Sequence, residues 1–519
     1  MLRPLFETVD EREFTNRAQE LAFLWDLTIR ARERRAGSQV FIARKGLGKT
    51  ALLQRFYNDL FSQQTEVVPF FVDLGQFKGP DPTPLTVRGF MKFYVRTLAT
   101  QYLAFHLKEG GMLEAEPDER GLLTILQAHE PLIPQAPFVA QYLRRSLEMT
   151  VTNYRDELPS VIKFTRQVLG KADFLPGVLM IDEFQVLTEV VDDQTGLRDN
   201  LAQRFQKTAE ARWCPMVVTG SAVSLITRTT QGGLLARRFS PYHLQPFSSQ
   251  HTLEYATRLA TYHHVPLHQG VAYTIHWLTG GNPYYIWSLF NSKGLVAAGL
   301  STLEALHTTY EYELATLNGE LRNFWDVHFE TMVAHLNAQG DALRILYHLA
   351  TRPGEDFNLH DLADYLGRDP VEVESILTML ERADLVEARL RGLYRHITDP
   401  VLADYIIQRY RIVLEQQSFA TYLKTLKADF YSKMGSLSRA VGHAAELFTI
   451  GLMTRFDGQE VDGAFFGQPG NIILPRFEKV VNRSGVIIEG DHIEFDIVAE
   501  GEEETWLVEV RHRQRPLGP

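Results

Sequence analysis

The stretch Ser38-Gln39-Val40-Phe41-Ile42-Ala43-Arg44-Lys45-Gly46-Leu47-Gly48-Lys49-Thr50-Ala51-Leu52-Leu53 decides how this chain is read. A short apolar run, Ser38–Ala43, breaks into a loop carrying Gly46 and Gly48, and a helical pattern resumes over Ala51–Leu60. That is strand, glycine loop, helix. Few residue types can hold a triphosphate. Glycines let backbone N–H groups converge on it, a lysine neutralises the outer phosphates, and a hydroxyl joins a magnesium shell. Lys45, Gly46, Leu47, Gly48, Lys49, Thr50 and Ala51 present that set in order, so ATP and Mg²⁺ are the expected cofactors. Ala43 stands at the motif's usual first glycine, and suits it only with its backbone outside the left-handed region.

Working outward, a helix is expected over Arg17–Ala36 and a second buried strand over Val67–Leu74. A third strand, Gly177–Ile181, ends in Asp182-Glu183. Asp182 is placed for the magnesium shell, and Glu183 to orient or activate the attacking water. A fourth, Pro215–Thr219, ends in Gly220-Ser221, where Thr219 and Ser221 can reach the terminal phosphate or the water. Strands alternating with helices predict an α/β core, a doubly wound parallel sheet with helices on both faces. Residues from about 80 to 174 read as a helical insertion with breaks near Gly110 and Pro131–Pro137.

At 519 residues the chain should hold about three domains of roughly 100–200 residues. Its 45% apolar and 23% charged residues exclude disorder as the main state. A net charge of −11 excludes a protein that coats nucleic acid with its whole surface. The lone Cys214 excludes an intramolecular disulfide and points to a reducing compartment. Glu7, Asp10 and Glu11 stand where a signal peptide would need an apolar run, and no apolar run approaches a bilayer span. A cytoplasmic protein with no membrane partner is expected.

From Ser248 to about Asn337 the pattern is helical, interrupted by Thr279-Gly280-Gly281-Asn282-Pro283. Helices over Ala342–Ala350, His360–Leu366 and Pro370–Ala383 precede strand-like pieces at Leu385–Ala388 and Leu393–Ile397, which is the winged-helix order. Over Asp341–Tyr410 stand 8 arginines, no lysine and 13 carboxylates, a net of −5. The candidate recognition helix carries Asp369, Glu372, Glu374 and Glu381 against Arg382. Phosphate would repel it, so a protein contact is favoured over DNA, although Arg389, Arg391 and Arg395 in the wing can grip a backbone.

Taken together, these residues resemble a P-loop ATPase of the AAA+/STAND group, most like the archaeal-type ATPases related to origin-recognition initiators. The resemblance spans roughly residues 10–410. Its opening box is similar to Phe14-Thr15-Asn16-Arg17-Ala18-Gln19-Glu20-Leu21, which by resemblance packs by the adenine and assigns Arg17 to the nucleotide. Its Walker A resembles Ala43–Thr50, its Walker B Val178–Glu183, and its sensor turn Thr219–Ser221. Its lid resembles Gly280–Pro283, which implicates Pro283. An arginine before a Pro-Phe-Ser strand resembles Arg237-Arg238 ahead of Pro246-Phe247-Ser248, and implies a finger reaching a neighbouring subunit's site, hence a homo-oligomer. Asp399-Pro400-Val401-Leu402 resembles a recurrent family segment.

The last segment resembles the outline of the PD-(D/E)xK restriction-endonuclease-like fold: Glu446 on a helix, Asp496 on one strand, Glu509 and Arg511 on the next. Asp496 and Glu509 would share a metal, with a lysine beside the attacking water. Arg511 stands in that lysine's place and cannot deprotonate to act as a base. A degenerate or shortened domain is therefore expected. The expected layout is an ATPase core over 1–247, a helical lid over 248–337 and a winged helix over 338–410. A helical linker over 411–439 and a small α+β nuclease-like domain over 440–519 follow. The expected function is an ATP-hydrolysing switch that couples nucleotide state to the placement of the later domains. The alternatives are an ATP-gated DNA nuclease of a defence or mobile-element system and a non-hydrolysing nucleotide-binding scaffold.

Overall fold

The structure is a computed structural model. It describes residues 6, 9–10, 13–78, 85–169, 175–220, 226, 229–230, 233–295, 299–334, 339–352, 355–382, 385–390, 393–397, 399–414, 449–450, 453–454, 456–463, 468–488, 491–501 and 504–509. Five strands form one sheet: β1 (Ser38–Ile42), β2 (Val68–Asp73), β3 (Gly177–Asp182), β4 (Met216–Gly220) and β5 (Phe239–His243). Their order is β2-β3-β4-β1-β5 and every pairing is parallel. Burial of every residue in β1, β3 and β4 explains their unbroken apolar runs. This sheet fits the expected α/β P-loop core. Because the strands are parallel, the ends of β1, β3 and β4 that carry Ala43, Asp182 and Thr219 lie along one edge.

β5 is the strand that pattern reading of the residues alone does not find. It pairs with β1 at the sheet's edge, and its Ser240, Pro241 and His243 are exposed. An edge tolerates Pro241, whose missing N–H would break a central ladder. Helix α1 (Ala18–Arg32) is shorter than Arg17–Ala36, because the chain turns left-handed at Arg34 (φ 58°). Helix α2 (Lys49–Gln63) follows the loop.

Between β2 and β3 the chain is helical. The longest helix there, Val87–Leu107, is capped by Thr86, whose hydroxyl accepts from Gly89 N at 3.1 Å. His106 lies on it against Tyr102 and Phe105, at 4.4 and 5.6 Å between ring centres. Burial, with Lys108 nearby, pushes the His106 imidazole down to about 4. Its folded pKa is thus below its unfolded value, so the unfolded chain holds more protons between about pH 6.5 and 4. Stability contributed here is present above pH 6.5 and lost as pH falls toward 4. A His106→Phe variant should show a shallower loss of unfolding midpoint between pH 6.5 and 4.5; an unchanged slope would exclude His106 as the titrating group.

Residues Phe247 to Ile406 build a second hydrophobic core, separate from the one that ends at Leu244. It takes in helices Ser249–Tyr262, Gln269–Thr279, Pro283–Phe290, Leu303–Ala315 and Glu320–Ala334. It continues without a break into helices Gln339–Thr351, Leu359–Leu366, Pro370–Arg382 and Pro400–Leu414, and into a small sheet. That sheet joins β6 (Phe357–Asn358), β7 (Val386–Leu390) and β8 (Leu393–Ile397) in the order β6-β8-β7. Three phenol–carboxylate bonds cross between the two halves: Tyr285 to Asp399 at 2.9 Å, Tyr310 to Asp404 at 2.8 Å and Tyr405 to Asp326 at 2.6 Å. The segments that sequence divides at 337/338 therefore pack as one body.

Beyond Leu414, the rest of the expected linker and the Gly442–Leu447 helix lie outside the described residues. The C-terminal part holds β9 (Glu460–Asp462) against β10 (Asn471–Ile473), then the antiparallel sheet β11 (Phe477–Ile488), β12 (Asp491–Gly501) and β13 (Thr505–Val508). β12 pairs antiparallel with β13, from Ile497↔Val508 to Glu500↔Thr505.

Candidate functional site

The loop after β1 reaches α2 through two left-handed glycines, Gly46 (φ 84°) and Gly48 (φ 83°), with Gly48 as the residue before the first helical turn. Unpaired N–H groups of α2 therefore face the loop, which favours an anion there. Gly46 is needed twice over: a Cβ would meet Asn282 Oδ1 at 2.7 Å. Ala43 is not among the residues with positive φ, so alanine meets the condition set by its sequence position.

Lys49 is 6% exposed, and its Nζ donates to the carbonyls of Ala43 (2.8 Å) and Arg44 (3.1 Å). Burial pushes its pKa down to about 8, opposed by Glu183 and Asp182. Asp182, 2% exposed, accepts hydroxyl bonds from both Thr50 and Thr219. One carboxylate on β3 thus ties the start of α2 to the end of β4. Burial raises its pKa against those hydroxyls. The neighbouring β2 ends in Asp73, the register partner of Asp182, a carboxylate that motif reading passed over. It accepts from Gly75 N (2.8 Å) and Gln76 N (3.3 Å), and burial raises its pKa as well.

Glu183 adopts a left-handed backbone (φ 54°), and its carboxylate accepts from the Gln185 amide. Gln185 is 5% exposed, and its Oε1 has no hydrogen-bond partner among the described residues. A Cβ on Gly220 would fall 2.2 Å from that oxygen, so Gly220 makes room for Gln185. No spacing rule singles out Gln185; only the fold shows that it aims Glu183. Lys45 is held near Glu183, which opposes the lowering of its pKa by burial.

Arg17 is 5% exposed and spends its guanidinium on the protein. Nη2 donates to Leu47 O (2.9 Å), Nη1 to Gln245 O (2.8 Å) and to Glu20 (3.1 Å), and the group lies 4.9 Å from the Phe247 ring centre. Its geometry is that of a brace joining α1, the loop and the chain leaving β5. Burial lowers its pKa, opposed by Glu20.

The segment Gly280–Pro283 grips the loop from the other side. Asn282 donates from Nδ2 to Lys45 O (3.0 Å), and Tyr284 N points at Gly46 O (3.3 Å). Pro283 opens the helix Pro283–Phe290, where its missing N–H leaves nothing unpaired. Gly281 accepts from Phe247 N (2.9 Å), and a Cβ on it would collide with Phe247 O at 2.1 Å. Behind this turn, Pro400 packs against Gly280, and the buried Asp399 feels the charge of Arg44 in the loop.

Of the arginine pair, Arg238 is bonded to Glu210 of the same chain (2.8 Å), whereas Arg237 is exposed. Ser221, Glu446, Arg391 and Arg511 lie outside the described residues. Asp496 is half-buried on β12, and Glu509 is exposed just past β13. The pairing Ile497↔Val508, continued by one residue, sets these two carboxylates opposite each other. Among the described residues no group of three or more His, Cys, Asp or Glu could hold a metal, and no helix could cross a membrane.

No known protein family and no curated protein sequence matches the chain. Among solved structures it is similar to a Walker-type ATPase of Pyrococcus abyssi, at 16% identity and TM-score 0.49, covering 78% of this chain and 99% of that one. It is also similar to the ORC2 protein of Aeropyrum pernix, in ADPNP and ADP complexes, at 14% identity and TM-score 0.42 over 84% and 98%. A third is the RuvB Holliday junction branch migration motor of Thermotoga maritima, at 15% identity and TM-score 0.34 over 76% and 96%.

Proposed function

We propose that this chain binds Mg·ATP at the loop Ala43–Thr50 and hydrolyses it, and that the nucleotide sets the position of the body built by residues Phe247 to Ile406. The observation that carries this reading is the Asp182 carboxylate bonded at once to Thr50 and Thr219 beside a loop of two left-handed glycines. Hard oxygen donors facing one another in a buried spot suit magnesium, so Thr50 and Asp182 would hold it. Bound there, the metal would neutralise charge on the outer phosphates. Lys49 exchanges its two loop carbonyls for phosphate oxygens. Glu183 accepts a proton as water attacks the terminal phosphorus and the bond to the leaving diphosphate breaks. Gln185 sets the direction of that carboxylate, and Thr219 holds Asp182 in place. Arg237 is the finger candidate, since Arg238 is engaged within its own chain.

Coupling follows from the grip of Asn282 and Tyr284 on the loop carbonyls. A phosphate that repositions the loop favours one placement of everything attached to that turn. The three-helix and β6-β8-β7 unit, read as a winged helix, moves with the lid because they share a core. Its acidity fits a protein partner better than DNA. Isothermal titration with ATP and magnesium tests the site: Lys49→Ala should weaken binding roughly 100-fold, the loss of about 2.7 kcal/mol in charge-assisted bonds. Unchanged affinity in that variant would place the nucleotide elsewhere.

A further inference from the structure

We infer that the core carries a binding site for single-stranded nucleic acid, remote from the loop and from the winged helix. Two open hollows of about 680 and 690 Å³ adjoin each other and share Lys163 and Lys207. They are built by the end of the helical insertion, the segment Thr195–Lys207 and Trp213. Trp213 precedes β4, so the second hollow sits at the sheet edge opposite the one that carries the loop.

Charge singles this surface out. In a chain of net −11, among the described residues seven cations and two carboxylates line the two hollows, and neither carboxylate lies in the second. Three of the seven are already paired with acids. Among the described residues Lys163, Arg166, Arg198 and Lys207 have no carboxylate partner, and together they leave an uncompensated positive track. An unpaired row of this kind is suited to phosphodiester oxygens, whose neutralisation releases counterions.

Aromatic rings interleave with these cations. Phe138 is 38% exposed at the rim of the second hollow, beside Trp213. Arg166 lies 6.0 Å from the Trp213 ring centre, and among the described residues the buried Trp213 Nε1 has no hydrogen-bond partner. Bases stack on such rings with little regard to sequence, whereas in a duplex they are turned inward and unavailable. The combination of these cations with exposed Phe138 beside half-buried Trp213 fits a single strand, with phosphates on Lys163, Arg166, Arg198 and Lys207 and a base on Phe138. This inference does not depend on the ATPase reading, since it uses no residue of the loop.

Fluorescence anisotropy of the full chain with a labelled oligothymidine of about 20 nucleotides tests it. Binding should weaken with salt, with a slope of log K against log salt of roughly −3 for four cations at about −0.7 each. Lys163→Glu/Arg166→Glu/Lys207→Glu should weaken binding at least 30-fold. The exposed pair Arg198→Glu/Lys207→Glu, which leaves the half-buried positions intact, should weaken it at least tenfold. Phe138→Ala should cost about fivefold by loss of stacking. Lys49→Ala should bind the oligonucleotide as the native chain does, whatever its ATP affinity. The inference is overturned if the native chain does not bind at about 50 mM salt, where electrostatic contacts are strong. It is equally overturned if the exposed double variant binds like the native chain. It is also overturned if polyglutamate or polyphosphate displaces the strand charge for charge while Phe138→Ala changes nothing, which would mark a generic anion surface.

Discussion

Glu183→Gln should keep ATP affinity within about threefold of the native chain and lower turnover by roughly 10² to 10⁴, the usual contribution of a positioned general base. The variant preserves the shape of the side chain and a carbonyl oxygen to accept from Gln185, so the left-handed turn at Glu183 need not change. What it removes is the negative oxygen that accepts a proton from water. Phosphate release at saturating ATP, beside equilibrium binding of the same preparation, separates the two effects. A loss smaller than tenfold at unchanged affinity would move the base elsewhere, and Asp73 would be the first carboxylate to replace, because it stands beside Asp182 and burial raises its pKa. Gln185→Ala adds a graded control: turnover should change while nucleotide affinity holds.

Arg17→Ala should have the second large effect, on stability and on the loop together. The change strands the buried carbonyl of Leu47, removes the donor to the carbonyl of exposed Gln245, and leaves Glu20 without its cation. Breaking a buried charged pair costs about 3–5 kcal/mol, and the unsatisfied Leu47 carbonyl acts in the same direction. Urea unfolding should show a clear fall in midpoint for the transition that includes the sheet, and ATP affinity should drop at least tenfold as the loop loses its brace. Arg17→Lys restores charge but not the fork of donors, so it should recover only part of each effect. Stability within about 0.5 kcal/mol of native would show that the brace is redundant.

The loop was legible because its chemistry is local: glycines, lysine and hydroxyl stand within a few residues between a strand and a helix. Asp182 and Glu183 were legible for the same reason, at the end of an apolar run. Their meeting with Thr50 and Thr219 spans 132 and 37 residues of chain. It could be anticipated only by assuming the parallel sheet. Asn282 reaches Lys45 across 237 residues, and Gln185 reaches Glu183 across two, yet neither has a periodic or compositional signature. β5 hid because edge strands are neither continuous nor alternating in polarity. The shared core beyond Phe247 hid because its ties are tyrosine–aspartate pairs 79 to 114 residues apart. Turn residues near 337 look like a boundary whether or not two cores lie beside them.

The two hydrophobic cores divide between Leu244 and Phe247, and a chain cut there would look complete by its apolar packing. Its loop, however, would lose Asn282 and Tyr284 from its carbonyls, and the Gln245 anchor of Arg17 would hang from a free end. On the proposed reading, the loop would act as a pivot with a long arm bolted to it. A shift of a few tenths of an ångström at the carbonyls of Lys45 and Gly46 would then become a much larger sweep at the far tip of the acidic unit, by leverage alone.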